Sequence, residues 1–175
     1  MPEDESSHKF ETVSKNFENM SEHKVTIAWT RSSPDFLKGK YSREHTWTFD
    51  GGLTVPASSA LSSVPVPYSN PANVDPEEAF VAAVSSCHML TFLFLASRQG
   101  FQTDSYHDEA VGLMTKNDTG TPWVSSIKLM PIIAYSGDKL PTQADEERLH
   151  HLAHEQCFIA NSIKTEVTVA VRRPA

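Results

Sequence analysis

Residues 75–100 read DPEEAFVAAVSSCHMLTFLFLASRQG, and this stretch decides the fold. It opens with three signals for the start of a helix: Asp75 can cap free amide groups, Pro76 suits the first helical position, and Glu77 complements the positive end of the helix dipole. Apolar residues then recur at helical spacing, the opposite face is also weakly polar, and Gly100 follows the last periodic residue. The pattern predicts a long helix that lies buried in the middle of the protein.

Outward from this helix, the sequence predicts strands on both sides. Alternating apolar residues predict a strand at 23–30 and a hairpin at 43–57 before the helix. Two long strand candidates follow it, roughly Ser105–Lys116 and Trp123–Tyr135, and then come a second helix that begins at Thr142 and a closing strand. This order is typical of an α+β fold with mostly antiparallel sheet.

Length and charge limit the class of protein. The 175-residue chain is long enough for a substantial core, and we expect a polar tail at 1–22 and a single domain at 23–175. A net charge of −7 with no run of Lys or Arg argues against a nucleic-acid partner. The longest strongly apolar run, MLTFLFLA, is too short to cross a bilayer, and the acidic N-terminus does not resemble a signal peptide. The sequence therefore predicts a cytoplasmic protein with no membrane partner.

The chain has two cysteines, Cys87 within the predicted central helix and Cys157 at the end of the second helix. In a reducing compartment, a cysteine pair is more often catalytic, redox-sensing or metal-binding than a permanent disulfide. Cys87 fits two interpretations, a small buried apolar residue or a reactive thiol. Glu77 lies nearly three helical turns before Cys87, too far for contact, but it could anchor an arginine that lowers the thiol pKa. Glu77 also fits a plain role at the helix start.

Histidines form a second pattern of interest. On an unbroken helix, His150, His154 and Cys157 fall within about 60° of one another, which is a plausible face for a soft metal ion. Solvated histidines on an acidic helix explain the same cluster, which also includes His151. The sequence contains no P-loop, no dinucleotide-binding glycine motif and no serine nucleophile elbow, so it predicts no cofactor.

These segments resemble the OsmC/Ohr family, the osmotically inducible and organic hydroperoxide resistance proteins. DPEEAFVAAVSSC is similar to the family's N-P-E-x-L-x-A-A-x-x-x-C helix, with Glu77 and Cys87 at the spacing of its glutamate and peroxidatic cysteine. CFIANSIKTEVTV is similar to the segment that carries the family's second cysteine, and the likeness extends over about residues 24 to 172. His88 and Phe158 stand where many members have an apolar residue and a proline, which indicates a side branch of the family.

The resemblance implies an OsmC-like fold, in which antiparallel sheets surround a long buried helix and two subunits intertwine as a homodimer. It implies a thiol-dependent peroxidase that reduces organic hydroperoxides, with Cys87 as the attacking thiolate and Cys157 as the resolving thiol. Glu77 would hold an arginine beside the thiolate. Arg43 is our first candidate for that arginine because it precedes the early hairpin, and Arg31 is the second. A dithiol reductant, lipoyl-type or other, would reset the disulfide.

Two alternatives stay open beside the peroxidase. One is a metal- or small-ligand-binding protein of this fold without peroxidase activity, and the other is a redox-inert relative. The peroxidase requires the two thiols to lie within disulfide reach, with Cβ atoms roughly 4 Å apart, and neither alternative does.

Overall fold

The structure is a computed structural model, and it describes residues 21–171. Most of the predicted tail at 1–22 lies outside these described residues. The helices are α1 (Pro76–Arg98) and α2 (Gln143–Gln156), with short 3-10 helices at Phe36–Lys38 and Ala160–Ser162. The strands are β1 (Val25–Ala28), β2 (His45–Phe49), β3 (Thr54–Ala57), β4 (Gln102–Asp108), β5 (Val111–Lys116), β6 (Pro122–Leu129), β7 (Pro131–Ser136) and β8 (Glu166–Val169).

The strands form three small sheets that are almost entirely antiparallel. Strands β1, β2 and β3 pair in sequence order, β4 pairs with β7, and β5 and β8 lie on either side of β6. The pair β6–β8 is parallel. The predicted α+β class with mostly antiparallel sheet is therefore confirmed.

Helix α1 begins as its sequence predicts. The Asp75 carboxylate accepts the N–H of Glu78 at 2.8 Å, and the Glu78 carboxylate accepts the N–H of Asp75 at 3.4 Å, which is a reciprocal capping box. At the other end, Gly100 has a φ of 77°, a left-handed conformation that side chains with a Cβ disfavour. These two local features fix the length of the helix and therefore the position of Cys87 along it.

The prediction of two long strands after α1 is wrong, because each of them is broken into two. The first divides into β4 and β5, and the second into β6 and β7. Asp108, at the end of β4, accepts the N–H of Met130 at 2.6 Å and the hydroxyl of Ser85 in α1 at 2.5 Å. Pro131, which has no N–H to give to a ladder, begins β7. A contact between distant parts of the chain holds the break, so the local pattern does not reveal it.

Helix α1 contributes residues to two buried apolar clusters, and a further side of the helix is exposed. One cluster, towards its N-terminal end, contains the buried residues Val84, Ile127 and Leu129; the other contains Phe92, Ala96, Phe101, Ile133, Leu149 and Ala153. On the remaining side, Leu90 is 61% exposed and Phe94 is 59% exposed. The prediction that α1 is buried on all sides is therefore wrong for a single protomer.

Among residues 21–171, α1 is also the one helix that is long and apolar enough to cross a membrane. Length and composition alone do not distinguish a membrane-spanning helix from the core helix of a soluble protein.

Candidate active site

The fold brings the two cysteines together. Cys87 lies in the middle of α1, and Cys157 is the residue that ends α2, which packs along α1. The two side chains lie close enough that Cys87, after burial, contributes to raising the pKa of Cys157. Cys157 is fully buried, whereas Cys87 is half-buried. Both thiols are free in this structure, so the contact is one between reduced cysteines.

The Cys157 thiol has an environment that keeps it protonated. Burial, followed by the hydrogen bond to Cys87, raises the pKa of Cys157 to about 11. The N–H of Ala160 points at its sulfur at 3.4 Å, and the side chain of Asn161 donates to the Cys157 carbonyl at 3.0 Å. These contacts place Cys157 on a fixed turn after α2, where it is a thiol rather than a thiolate at neutral pH.

The structure does not join Glu77 to either candidate arginine within one protomer. Arg43 donates its guanidinium to the carbonyls of Gly39 at 3.0 Å and Tyr41 at 2.6 Å, and it lies 3.7 Å above the Tyr41 ring. None of the ion pairs within residues 21–171 includes Glu77, Arg43 or Arg31.

The Arg43 segment is nevertheless fastened to the connection that leads into α1. The N–H of Arg43 donates to the carbonyl of Tyr68 at 2.9 Å. The neighbouring Glu44 carboxylate accepts the side-chain amide of Asn70 at 2.8 Å, and this bond is the main reason that the pKa of Glu44 is lowered. The loop that carries Arg43 is therefore hydrogen-bonded to the connection that precedes Glu77.

A cavity of about 800 Å³ lies against the N-terminal half of α1. Its wall is mostly apolar, with carboxylates from Asp75, Glu77, Glu78 and Asp108 and no Lys, Arg or His among the described lining residues. Cys87 is not one of the residues that line it. Within a single protomer, this cavity is therefore not a chamber around the Cys87 thiol.

Two histidines form a buried pair between the helices. His88 and His150 are hydrogen-bonded, with 3.0 Å between Nε2 of His88 and Nδ1 of His150, and both are almost completely buried. The interpretation of the histidine cluster as solvated is therefore wrong for His150, although His151 is exposed and pairs with Glu155. Burial lowers the pKa of His88 to about 4 and that of His150 to about 3, so both rings are neutral at physiological pH.

The predicted metal face is not assembled in the part of the chain that the structure describes. There, no group of three or more His, Cys, Asp or Glu side chains could hold a metal ion. Cys157, the third member of the predicted set, interacts with Cys87, which contributes to its raised pKa.

The sequence analysis missed the pairing of His88 with His150. A signal for it was present, because His88 shares a helix face with buried Val84 and Phe92, and His150 adjoins buried Leu149. A histidine on the apolar face of each helix indicates a polar contact across the helix–helix interface, since buried imidazoles need partners.

Comparisons with known proteins agree on one family. The family model "OsmC-like protein" matches residues 69–172. A solved OsmC-like protein of unknown function from Vibrio cholerae is 51% identical, with a TM-score of 0.85, and the alignment covers 87% of this chain and 100% of that chain.

More distant solved structures share the fold. An organic hydroperoxide resistance protein from Elizabethkingia anophelis is 17% identical, with a TM-score of 0.68 and coverage of 90% of this chain and 100% of that chain. The organic hydroperoxide resistance protein OhrB of Bacillus subtilis is 18% identical, with a TM-score of 0.58 and coverage of 88% and 98%. A search of curated protein sequences finds no match.

Proposed function

Because this chain belongs to the OsmC-like family, we propose that it is a thiol-dependent peroxidase that reduces organic hydroperoxides to alcohols in the cytoplasm. The observation that carries the proposal is that the fold brings Cys87 and Cys157, which lie far apart in the chain, close enough for one thiol to shift the pKa of the other. Two thiols in contact can capture a sulfenic acid as a disulfide before it is oxidised further. The hydroperoxide resistance proteins that share this fold support the same class of reaction.

The proposed reaction has two chemical steps and a reset. The Cys87 thiolate attacks the O–O bond of ROOH and, with one proton from solvent, gives Cys87–SOH and ROH. The Cys157 sulfur then attacks the Cys87 sulfur, and the thiol proton leaves with the sulfenic hydroxyl as water. An external dithiol, lipoyl-type or other, reduces the disulfide by exchange. The raised pKa of Cys157 supports this division of roles, because a protonated thiol does not compete for the first attack.

In the proposal, Glu77 anchors an arginine that stabilises the Cys87 thiolate, and Arg43 is the first candidate. Support comes from the hydrogen bond that ties the Arg43 segment to the connection before α1. The exposed apolar side of α1 supports a homodimer as the working form, because a second copy would cover this side and could supply the arginine from across the interface.

The cysteine roles are tested with Cys87→Ser and Cys157→Ser in turnover of an alkyl hydroperoxide with a dithiol. We expect Cys87→Ser to abolish turnover. In Cys157→Ser, we expect the first equivalent of peroxide to be consumed and Cys87 to stop at the sulfenic or sulfinic acid, as read by mass spectrometry. Undiminished turnover by Cys87→Ser would refute the proposal.

The arginine is tested with Arg43→Ala and, as a matched control, Arg31→Ala. Loss of the cation that stabilises the thiolate would slow the first chemical step about 10- to 100-fold in Arg43→Ala, since a nearby cation lowers thiol pKa by one or more units. A loss in Arg31→Ala alone would move the role to Arg31.

A second candidate function is the binding of a small apolar ligand without peroxidase chemistry. The cavity of about 800 Å³ favours it, because its apolar walls lie apart from Cys87. Native mass spectrometry of untagged protein is the test. A copurified organic molecule retained by Cys87→Ser would support this function, and a clean protein that turns over peroxide would exclude it.

A further inference from the structure

The histidine pair joins the two helices that carry the cysteines. His88 is the residue after Cys87 in α1, and His150 lies about two helical turns before Cys157 in α2. Their hydrogen bond of 3.0 Å therefore links the two helices close to the position where the thiols meet. Neither histidine has a role in the peroxidase chemistry proposed above.

The rings are held in a defined geometry. They are 5° from parallel, with centroids 5.3 Å apart, and the 3.0 Å nitrogen–nitrogen distance sets them edge to edge. The His150 ring also lies against the face of Phe92, with centroids 4.4 Å apart. This hydrogen bond joins two nearly coplanar rings, one of which packs on the buried Phe92. Its geometry therefore depends strongly on the position of α2 along the axis of α1.

The other contacts between the helices are poor at fixing that register. They are formed mainly by Phe92, Ala96, Leu149 and Ala153, and apolar contacts have no preferred direction. The side-chain hydrogen bond from Arg148 to Gln99, just beyond the end of α1, is exposed and distant from the thiols. In the part of the chain that the structure describes, the histidine pair is thus a buried, directional contact that holds α2 against α1.

We propose that the His88–His150 hydrogen bond positions Cys157 against Cys87 and thereby determines the fate of an oxidised Cys87. The inference rests on the proposed peroxidase function for its biological meaning, but the positioning itself can be measured without peroxide. A disulfide tolerates only a narrow range of Cβ–Cβ separations, so a shift of α2 by one residue, about 1.5 Å along its axis, would move the thiols out of reach.

Two reactions compete for the Cys87 sulfenic acid. In one, Cys87–SOH and the Cys157 thiol give the disulfide and water, and the enzyme can be reset. In the other, Cys87–SOH and a second ROOH give Cys87–SO₂H and ROH, and the enzyme is lost. The histidine pair favours the first reaction because it keeps the Cys157 sulfur in place. We therefore assign His88 and His150 as positioning residues that protect the enzyme from overoxidation.

Amide substitutions test the pair with matched controls. The hydrogen bond joins Nε2 of His88 to Nδ1 of His150. A Gln at position 88 and an Asn at position 150 place a side-chain amide where these nitrogens lie, whereas an Asn at 88 and a Gln at 150 do not. We expect His88→Gln and His150→Asn to form the disulfide within about threefold of the wild-type rate. We expect His88→Asn and His150→Gln to form it about tenfold more slowly, the effect of losing one neutral hydrogen bond. His151 lies on the exposed side of α2, so His151→Asn should form the disulfide at the wild-type rate.

The readouts separate this inference from the peroxidase proposal. With an alkyl hydroperoxide, mass spectrometry measures the ratio of disulfide to sulfinic acid, which should fall in the mismatched variants; with diamide, disulfide closure is measured with no peroxidase activity required. Wild-type protein that closes the disulfide with diamide but ignores peroxide would refute the peroxidase and leave the positioning result standing. Mismatched variants that are folded by near-UV circular dichroism and close the disulfide at the wild-type rate would overturn the inference.

Discussion

At the scale of single residues, two buried polar side chains of α2 each have a specific partner. His150 meets His88, and the buried Glu146 accepts the hydroxyl of Tyr135 at 2.9 Å. A buried polar group that loses its partner costs about 1–3 kcal/mol, so such contacts specify one arrangement even where they add little net stability. The two cysteines therefore lie beside contacts that select a single packing of the helices.

The lowered pKa values of the histidine pair predict acid sensitivity. In the folded state, burial lowers the pKa of His88 to about 4 and that of His150 to about 3, while an unfolded histidine titrates near pH 6.5. Between these values the unfolded state binds more protons, so stability is lost as the pH falls from about 6.5 towards 4. Each unit of lowered pKa corresponds to about 1.4 kcal/mol. His154 and Asp108 also act on His88, in opposite directions.

Urea unfolding of the wild type and of the double variant His88→Gln/His150→Asn at several pH values measures this effect. The variant keeps the hydrogen bond but cannot titrate, so it should lose less stability on acidification. Parallel curves for the two proteins between pH 6.5 and 4.5 would show that the pair does not contribute.

At the scale of elements, α1 approaches β5 closely at Gly112. A Cβ placed on Gly112 would lie 2.5 Å from Cγ2 of Val81 in α1 and 3.5 Å from Cγ1 of Val124 in β6. Val81 is β-branched and has little rotamer freedom in a helix, so it cannot easily move aside. The absence of a side chain at this one position lets the central helix lie directly on the sheet.

Replacing Gly112 with Ala should lower the free energy of unfolding by about 1–3 kcal/mol, the usual cost of overpacking. Gly51→Ala is the matched control, because a Cβ there meets nothing within 4 Å. Chemical denaturation of both variants measures the two free energies of unfolding. A Gly112→Ala protein as stable as the control would mean that α1 and β5 separate without cost.

The elements differ in how far their sequence predicts them. The start of α1 is predictable because the capping box of Asp75 and Glu78 is local, and its end because Gly100 takes a left-handed conformation. The break between β4 and β5 is not, because it depends on the Asp108 carboxylate reaching Met130 across the fold. Local patterns specify caps and turns, whereas contacts between distant segments specify where strands divide.

The residues of the candidate site also differ in how far the sequence predicts them. The resemblance to the family singles out Cys87, Glu77 and Cys157 by the motifs around them, and their roles stay predictions. The sequence does not predict the histidine pair, because helical spacing shows which face a residue occupies but not which helix covers that face. The sequence pattern groups His150 with His151, whereas the structure buries His150 and exposes His151.

At the scale of the whole molecule, two apolar surfaces lack cover in the protomer. One is the side of α1 that carries Leu90 and Phe94. The other belongs to the sheet of β1, β2 and β3, where Val25 and Ile27 of β1 are each more than half exposed and which contributes no residue to either core cluster. A three-stranded sheet needs a packed face for stability, so both surfaces favour a partner of the same chain.

Charges on the exposed side of α1 should therefore break the assembly. We expect the double variant Leu90→Glu/Phe94→Glu to sediment as a monomer and to lose stability, because a carboxylate cannot be buried against an apolar partner without a large desolvation cost. Leu140→Glu is the matched control, since Leu140 is also 61% exposed but lies outside α1, just before α2. Analytical ultracentrifugation at micromolar concentration measures the outcome. A wild-type protein that sediments as a monomer, or a double variant that remains a dimer, would contradict an interface on this side of α1.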